Sequence, residues 1–406
     1  MNKSNLTAGL AATAVVAVLG AAVVTHHNGA SQAPAAASTR LAETWTAAAT
    51  DLGGPYTDKT VRDIVHTSVG GSGLRVRLSN AFGTVPVTFD AVYVGRQSSG
   101  AALVPGSNRE VTFGGTASVT IPKGAEVLSD PLPVSIPAQT NLAVSVHVAG
   151  ATGEVTGHPD AQQDNYYANG DTAADESATS YMYSIGSWFF VDAVLVNSAA
   201  RCGDVVALGD SITDGYQSTP DTNRRWPDYL AARLLRAPAP QQAAVANEGI
   251  SGNEILADGA GVSAQARLDR DVLAQPGART VIFVEGINDI GNGVATSAAQ
   301  LIAADEQIIA RAHADGLRIL GGTVLPFAGA GYYSPQKDTV RQALNTWIRS
   351  SRAFDGVVDF DAQLRDPADP ARLLPAYDSG DHLHPNDAGY AAMANTVNPN
   401  ALACPS

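Results

Sequence analysis

Cysteine and positive charge are the scarce resources of this 406-residue chain. It has 2 cysteines, 3 methionines and 4 tryptophans, and its 25 Lys and Arg stand against 39 Asp and Glu, for a net charge of −14. Without a surplus of cations the chain has little with which to hold a polyphosphate, so nucleic acid and anionic membrane surfaces are excluded as partners. Two thiols, Cys202 and Cys404, leave no room for a thiolate metal cluster. In an exported protein they most simply form one disulfide, the alternative being two unpaired buried thiols. Long apolar runs are also rare: residues 10–24 form one, preceded by the single charge of Lys3 and followed by the small-residue stretch 29–37. That is the pattern of a secretory signal, too short for the roughly 20 residues of a spanning helix. The expectation is a secreted, extracellular product with no stable membrane anchor.

What is present is globular: 45% hydrophobic and 16% charged residues, enough chain for two domains plus the leader. Residues 1–37 are assigned to the signal and small-residue stretch, 38–200 to an all-β domain and 201–406 to a second domain. In the first domain short β-branched runs alternate with Gly, Pro, Asn and Asp turns, and no helical period interrupts them, which predicts a β-sandwich or jelly roll. Runs at 60–69 and 74–79 flank "GGSG", predicting a hairpin. Further strands are expected at 85–94, 110–113, 117–121, 132–136, 142–148 and 188–196. Arg62 and His66 lie on one face of a strand, either bonded inside the sandwich or projecting toward a substrate.

From residue 204 strands and helices alternate. Strands are expected at 204–208, 243–247, 280–285, 318–323 and 357–359, and helices at 226–235, 263–273, 297–314, 335–351 and 386–396. Such alternation predicts an α/β fold with a doubly wound, mostly parallel sheet. The first strand runs into "GDSITDG", so Ser211 stands where ligands bind in such sheets, at the carboxyl edge. Asp210 and Thr213 are expected to stabilise that turn.

Near the other end, "DSGDHLHPNDAGY" sets Asp381 three residues before His384, with Pro385 stopping any helix through the histidine. In a turn this spacing lets the carboxylate hold one imidazole nitrogen while the other faces Ser211 as general base. A metal site on Asp381, His382 and His384 competes with this reading but has no further ligand cluster to complete it. His382 is expected instead to pack or to support a neighbour, and neither metal nor cofactor is called for. The second strand ends in "NEGISGNEI" and the third in "VEGINDIGNG", offering the Gly252 N–H and the Asn288 amide as donors to a developing oxyanion.

The blocks Gly209-Asp210-Ser211, Gly252, Gly286-Ile287-Asn288-Asp289 and Asp381-His382-Leu383-His384, in that order, resemble those of the SGNH hydrolases, also called the GDSL family. The chain departs from the short signature only in having Ile212 where the family name has leucine. The resemblance covers residue 204 onward. It implies a flavodoxin-like SGNH fold in which Ser211 is the nucleophile, His384 the base oriented by Asp381, and the Ser211 N–H, Gly252 and Asn288 the oxyanion hole. It also implies a carboxylic ester hydrolase acting on an acyl-ester substrate. The β-rich half, with "IVHTSVGGSGLRVRLSNAFG", is similar to the amino-terminal domain of exported two-domain bacterial members, some associated with xylan-degrading systems, which points to esters on an acylated polysaccharide; the lack of an obvious long apolar lid favours short acyl groups. A lipase or arylesterase and an acyltransferase would use the same triad. A non-catalytic carbohydrate-binding protein would lack one of these elements, and none is missing. The absence of any Gly-x-Ser-x-Gly excludes the α/β-hydrolase nucleophile elbow. Loops at 291–294 and 327–333 are expected to line the pocket, with Tyr332 and Tyr333 as packing residues.

Overall fold

Two sheets of antiparallel strands face one another in the amino-terminal region. A computed structural model describes residues 39–402 and residue 404, so the expected signal segment lies outside the described residues. One sheet runs in the order Arg40–Thr46, Val191–Ser198, Gly71–Ser79, Glu126–Leu128, with Leu132–Ile136 also on Gly71–Ser79. The other is built around Asn165–Asn169, Lys59–His66, Asn141–Val148 and Ala91–Ser99. Leu74, Val76, Leu78, Val194 and Val196 from the first sheet meet Val65, Val92, Val94, Val144 and Val146 from the second in one buried cluster. The period-two burial of these branched aliphatic residues is what holds a sandwich together.

The hairpin expected across "GGSG" does not form. Lys59–His66 pairs with Asn141–Val148 on one side and Asn165–Asn169 on the other, while Gly71–Ser79 belongs to the opposite sheet. Both edges of the earlier strand are occupied, and the link between the two crosses the sandwich. Its Thr67 N–H bonds to the carbonyl of Thr140, just before the strand Asn141–Val148 of one sheet, and its Ser68 N–H to Thr44 in the other. Two expected strands are each broken once, at Asp90 and at Phe190.

The carboxyl-terminal region has a five-stranded parallel sheet in the order Ala244–Gly249, Asp204–Gly209, Ala278–Val284, Arg318–Gly322, Gly356–Val358. This is the flavodoxin-like 2-1-3-4-5 order, in which the crevice lies beside the first strand. The helices are α1 (Ser211–Asp214), α2 (Trp226–Leu235), α3 (Ala264–Leu268), α4 (Ile287–Asn292), α5 (Ala298–Ala314), α6 (Pro335–Ser350), α7 (Phe360–Leu364) and α8 (Asp387–Thr396). The expected helix over 263–273 is α3 followed by a π-helical turn, Asp269–Leu273. Ends follow capping chemistry: Ser334 caps α6 ahead of Pro335, and the Asn386 side chain accepts from Ala388 and Gly389 at the start of α8. Cys202 and Cys404 form a disulfide that joins the entrance of this region to its last described residue.

The two regions interlock. Arg40 pairs with Asp204 at 2.7 Å, the Glu43 N–H donates to the other Asp204 oxygen, and Ala244 contributes to the sandwich core. Among the described residues no helix is long and apolar enough to cross a membrane.

Candidate active site

Gly209, Gly249 and Val284 lie side by side at the carboxyl edge of the sheet, so the loops after three neighbouring strands leave from one place. The first strand is buried throughout and gives directly onto α1. Gly249 is required where α1 passes over it, since a Cβ there would lie 2.1 Å from the Asp214 nitrogen. Asp210 caps α1, its side chain accepting from the Ile212 N–H at 3.0 Å and its carbonyl from Thr213 and Asp214. Thr213 takes part in the turn through its backbone only, because its buried hydroxyl has no hydrogen-bond partner. Ser211 is thus the first residue of a helix, where the N–H has no partner within the helix.

The Ser211 Oγ lies 2.8 Å from His384 Nε2, and His384 Nδ1 lies 2.6 Å from Asp381 Oδ2. The second Asp381 oxygen accepts from the Leu383 and His384 N–H groups and from the Ser379 hydroxyl. Partial burial works to raise the Asp381 pKa, but the His384 ring and these backbone donors outweigh it and hold the carboxyl well below the usual range. It therefore stays ionised, as the partner of an imidazolium must. The Tyr216 ring meets the His384 ring edge to face at 4.8 Å.

His382 does not join this line. It sits at φ 64° with Nδ1 on Asp378 Oδ2 at 2.6 Å, and its ring packs on Gly329. The support role expected of it is what the contacts describe. Among the described residues no group of three or more His, Cys, Asp and Glu is arranged to hold a metal.

Gly252, with φ +80°, presents its backbone in a conformation that a side chain would strain. The neighbouring Asn253 carbonyl accepts one Asn288 Nδ2 hydrogen at 2.9 Å, leaving the second amide hydrogen available. Asp289 fastens the same loop, its two oxygens accepting from the Ile255 and Leu256 N–H groups at 2.9 Å each. The Tyr332 hydroxyl donates to Asn288 Oδ1 at 3.4 Å, and its ring lies so close over Gly291 that a Cβ there would meet it at 2.4 Å. Tyr332 is therefore a packing residue, as expected, but one that also orients the Asn288 amide. In the β-rich region Arg62 is fully buried, bonded to Ser145 and to the Ala101 and Asp175 carbonyls, while half-buried His66 bonds Asn141. Both take the structural option.

Sequence reasoning missed Arg267. Its guanidinium, with no exposed area, donates to the Gly209 carbonyl at 2.9 Å, the Glu248 carbonyl at 2.7 Å, Asn253 Oδ1 at 2.9 Å and Asp271 at 3.0 Å. One planar fork ties together the ends of two strands and the Gly252 loop. The available signal was periodicity: Ala264, Arg267, Leu268 and Asp271 recur at helical spacing, which puts the arginine on the inward stripe.

Below this fork lies a buried acid. Neither Glu285 oxygen has a hydrogen-bond partner and its nearest cation, Arg267, is 3.9 Å away. Burial pushes its pKa well above normal; Arg267 opposes this and the nearby Asp210, Asp289 and Asp305 add to it. Asp210 itself is pushed up to about 7, mainly by burial. For a carboxyl whose folded pKa is raised, the folded state holds a proton that the unfolded chain releases above about pH 4.3. Stability is then lost as pH rises from there toward the folded value. Glu285→Gln is accordingly expected to lose less melting temperature than the parent between pH 5 and pH 8. Parallel melting curves for the two proteins across that range would show that Glu285 is not protonated in the fold.

A hydroxyl on an imidazole and the imidazole on an ionised carboxylate are the parts of a serine acyl-transfer site. Residues 207–392 match the GDSL-like lipase/acylhydrolase family. The carboxyl-terminal region is a domain of that family, and the protein is a carboxylic ester hydrolase. Among solved structures the chain is similar to an acetylxylan esterase from Geobacillus stearothermophilus, at 22% identity and a TM-score of 0.38 over 48% of this chain and 93% of that one. It is likewise similar to a carbohydrate acetylesterase family member from Sinorhizobium meliloti, at 18% identity and a TM-score of 0.40 over 49% and 96%. A third is a lipolytic G-D-S-L family protein from Veillonella parvula, at 21% identity and a TM-score of 0.37 over 48% and 94%. No curated protein matches the chain closely enough to count as a relative.

Proposed function

We propose that the protein is an exported serine esterase that hydrolyses short-chain O-acyl esters of a carbohydrate through an acyl-serine intermediate. The observation that carries the mechanism is the 2.8 Å contact between Ser211 Oγ and His384 Nε2, with the far nitrogen of the ring held by Asp381. His384 takes the Ser211 proton as Oγ attacks the ester carbonyl. The Ser211 and Gly252 N–H groups and the Asn288 amide receive the charge that develops on oxygen. The alcohol leaves with the proton from His384, and water then releases the acid by the same route. The Tyr332 ring over Gly291 and the Tyr216 ring over His384 support a small acyl site. The signal-like leader and the disulfide support export.

Turnover of aryl esters of increasing acyl length, beside acetylated xylan, tests the substrate. Rates that peak at acetyl and include release of acetate from the polymer are expected; a preference for long acyl chains would make the protein a lipase instead. A serine-reactive phosphonate is expected to label Ser211 alone. Asn288→Ala is expected to lower kcat by roughly 10² to 10³ with a smaller effect on KM, because its donor matters most once the oxygen is charged. An unchanged kcat would remove Asn288 from the oxyanion hole.

A further inference from the structure

The loop that carries Gly252 is held from its other side by the β-rich region. His158, at the end of the strand Thr156–His158, reaches across and places Nε2 2.9 Å from Asp214 Oδ1. Asp214 is the last residue of α1, three after Ser211. Its second oxygen accepts from the Ser251 hydroxyl at 2.6 Å and from the Ser251 N–H at 3.0 Å. Ser251 immediately precedes Gly252. A continuous line of hydrogen bonds therefore runs from the sandwich, through the nucleophile's own turn, to the peptide whose N–H is proposed above as an oxyanion donor.

The line is built to be rigid. His158 and Asp214 are each 2% exposed. The other ring nitrogen of His158 lies 2.8 Å from the Ala48 carbonyl, so both nitrogens face acceptors and the ring must carry both protons. Burial lowers the histidine's affinity for the second proton, but Asp214 and the Ala48 carbonyl more than compensate, and the pKa is raised. A charge-assisted pair inside the protein is short, directional and worth more than a neutral bond at the surface. The Trp188 ring, 5.5 Å from that of His158, walls the imidazole, and the Trp188 Nε1 is itself fixed on the Ile64 carbonyl. On the far side of the loop Arg267 holds Asn253, so the Gly252 peptide is clamped between two cations, one from each region.

We propose that His158 is a positioning residue for catalysis: through Asp214 and Ser251 the β-rich region sets the place of the Gly252 N–H relative to Ser211. The β-rich region is then part of the catalytic apparatus and not an appended module. This rests on the esterase reading above. An oxyanion donor contributes only when it points at the charged oxygen, and a displacement of an ångström in such a group costs up to about 10² in rate. The ground-state ester makes little use of the donor. The effect of losing the line therefore falls on kcat and leaves KM nearly unchanged.

Two amides dissect the histidine. Gln places its Nε2 where His158 Nε2 lies and keeps the bond to Asp214; Asn places its Nδ2 near His158 Nδ1 and keeps only the bond to Ala48. Both fill part of the same buried space. With a short aryl ester well below the melting temperature, His158→Asn is expected to lower kcat at least tenfold with KM within threefold. His158→Gln is expected to recover kcat to within about threefold of the parent. Equal kcat for the two amides, or a loss that only follows the folded fraction measured by circular dichroism, overturns the proposal. Should His158→Asn not fold, Ser251→Ala removes the shorter of the two bonds Ser251 makes to Asp214 and leaves the N–H bond; at least a threefold loss of kcat with KM unchanged is expected, and an unchanged kcat overturns the proposal equally. Ser211→Ala run alongside separates the two readings. If it keeps full activity, the esterase mechanism fails; if it is inactive while the His158 amides are alike, only this inference does.

Discussion

Replacing Ser211 by alanine is expected to reduce ester turnover by a factor of about 10⁴ to 10⁶ while the protein melts at its usual temperature. Members of a nucleophile and base pair act as a unit, and what survives their loss is the catalysis due to binding and the oxyanion donors alone. The substitution removes one oxygen from a side chain that is 5% exposed and whose hydroxyl bonds to His384, so the packing of the first parallel strand and α1 is untouched. Steady-state kinetics on an aryl acetate, with a melting curve on the same sample, reads both halves of the expectation. Residual turnover within tenfold of the parent would mean that another nucleophile does the chemistry. A large fall in melting temperature would mean that the hydroxyl is structural.

Cys404→Ser is expected to have the largest effect on stability. The Cys202–Cys404 bond closes a loop spanning 202 residues of sequence, and on the chain-entropy model a loop of that size contributes about 5 kcal/mol as an upper figure. In a domain of this size that corresponds to a loss of about 10 °C in melting temperature. At 20 °C kcat should stay near normal, because the catalytic turn is tied by nearer bonds. The Asn386 N–H donates to Tyr377 at 2.8 Å, Ser379 to His384 at 3.0 Å, and the Tyr390 hydroxyl to the Tyr216 carbonyl at 2.6 Å. Arg233 holds the end of α8 through the Ala394 and Val397 carbonyls. Calorimetry of the parent with and without reductant, beside the variant, checks this. Coincident melting curves would show that the bond does not constrain the unfolded chain, and a matching loss of kcat at 20 °C would show that it shapes the active site.

The parallel sheet was legible because its strands are short apolar runs that end in turn formers, and its helices carry caps and amphipathic spacing. Local chemistry of this kind depends on neighbours in sequence. The catalytic turn was legible for the same reason: Asp381 and His384 meet through three residues of chain and a proline that forbids helix. The β-rich region was legible as strands but not as pairings. "GGSG" between two β-branched runs has the local signature of a hairpin, yet the partners of Lys59–His66 are Asn141–Val148 and Asn165–Asn169, about eighty and a hundred residues away. Nothing local distinguishes a turn within a sheet from a crossing between sheets, since the choice is made by which edges remain free after the long-range pairing.

The same division runs through the site. Sequence alone put forward the residues proposed to carry the chemistry, because Ser211, Gly252, Asn288, Asp381 and His384 each stand at a loop whose composition allows little else. Tertiary structure decided what holds them in place. Arg267 is an ordinary helical arginine, and His158 an ordinary histidine in a glycine-rich stretch, until folding buries both against carbonyls and carboxylates from distant segments. Reactive groups must be of particular types, and type is written in sequence. Positioning needs only a charge of the right sign at the right place, and that place exists only after segments separated in sequence have packed together.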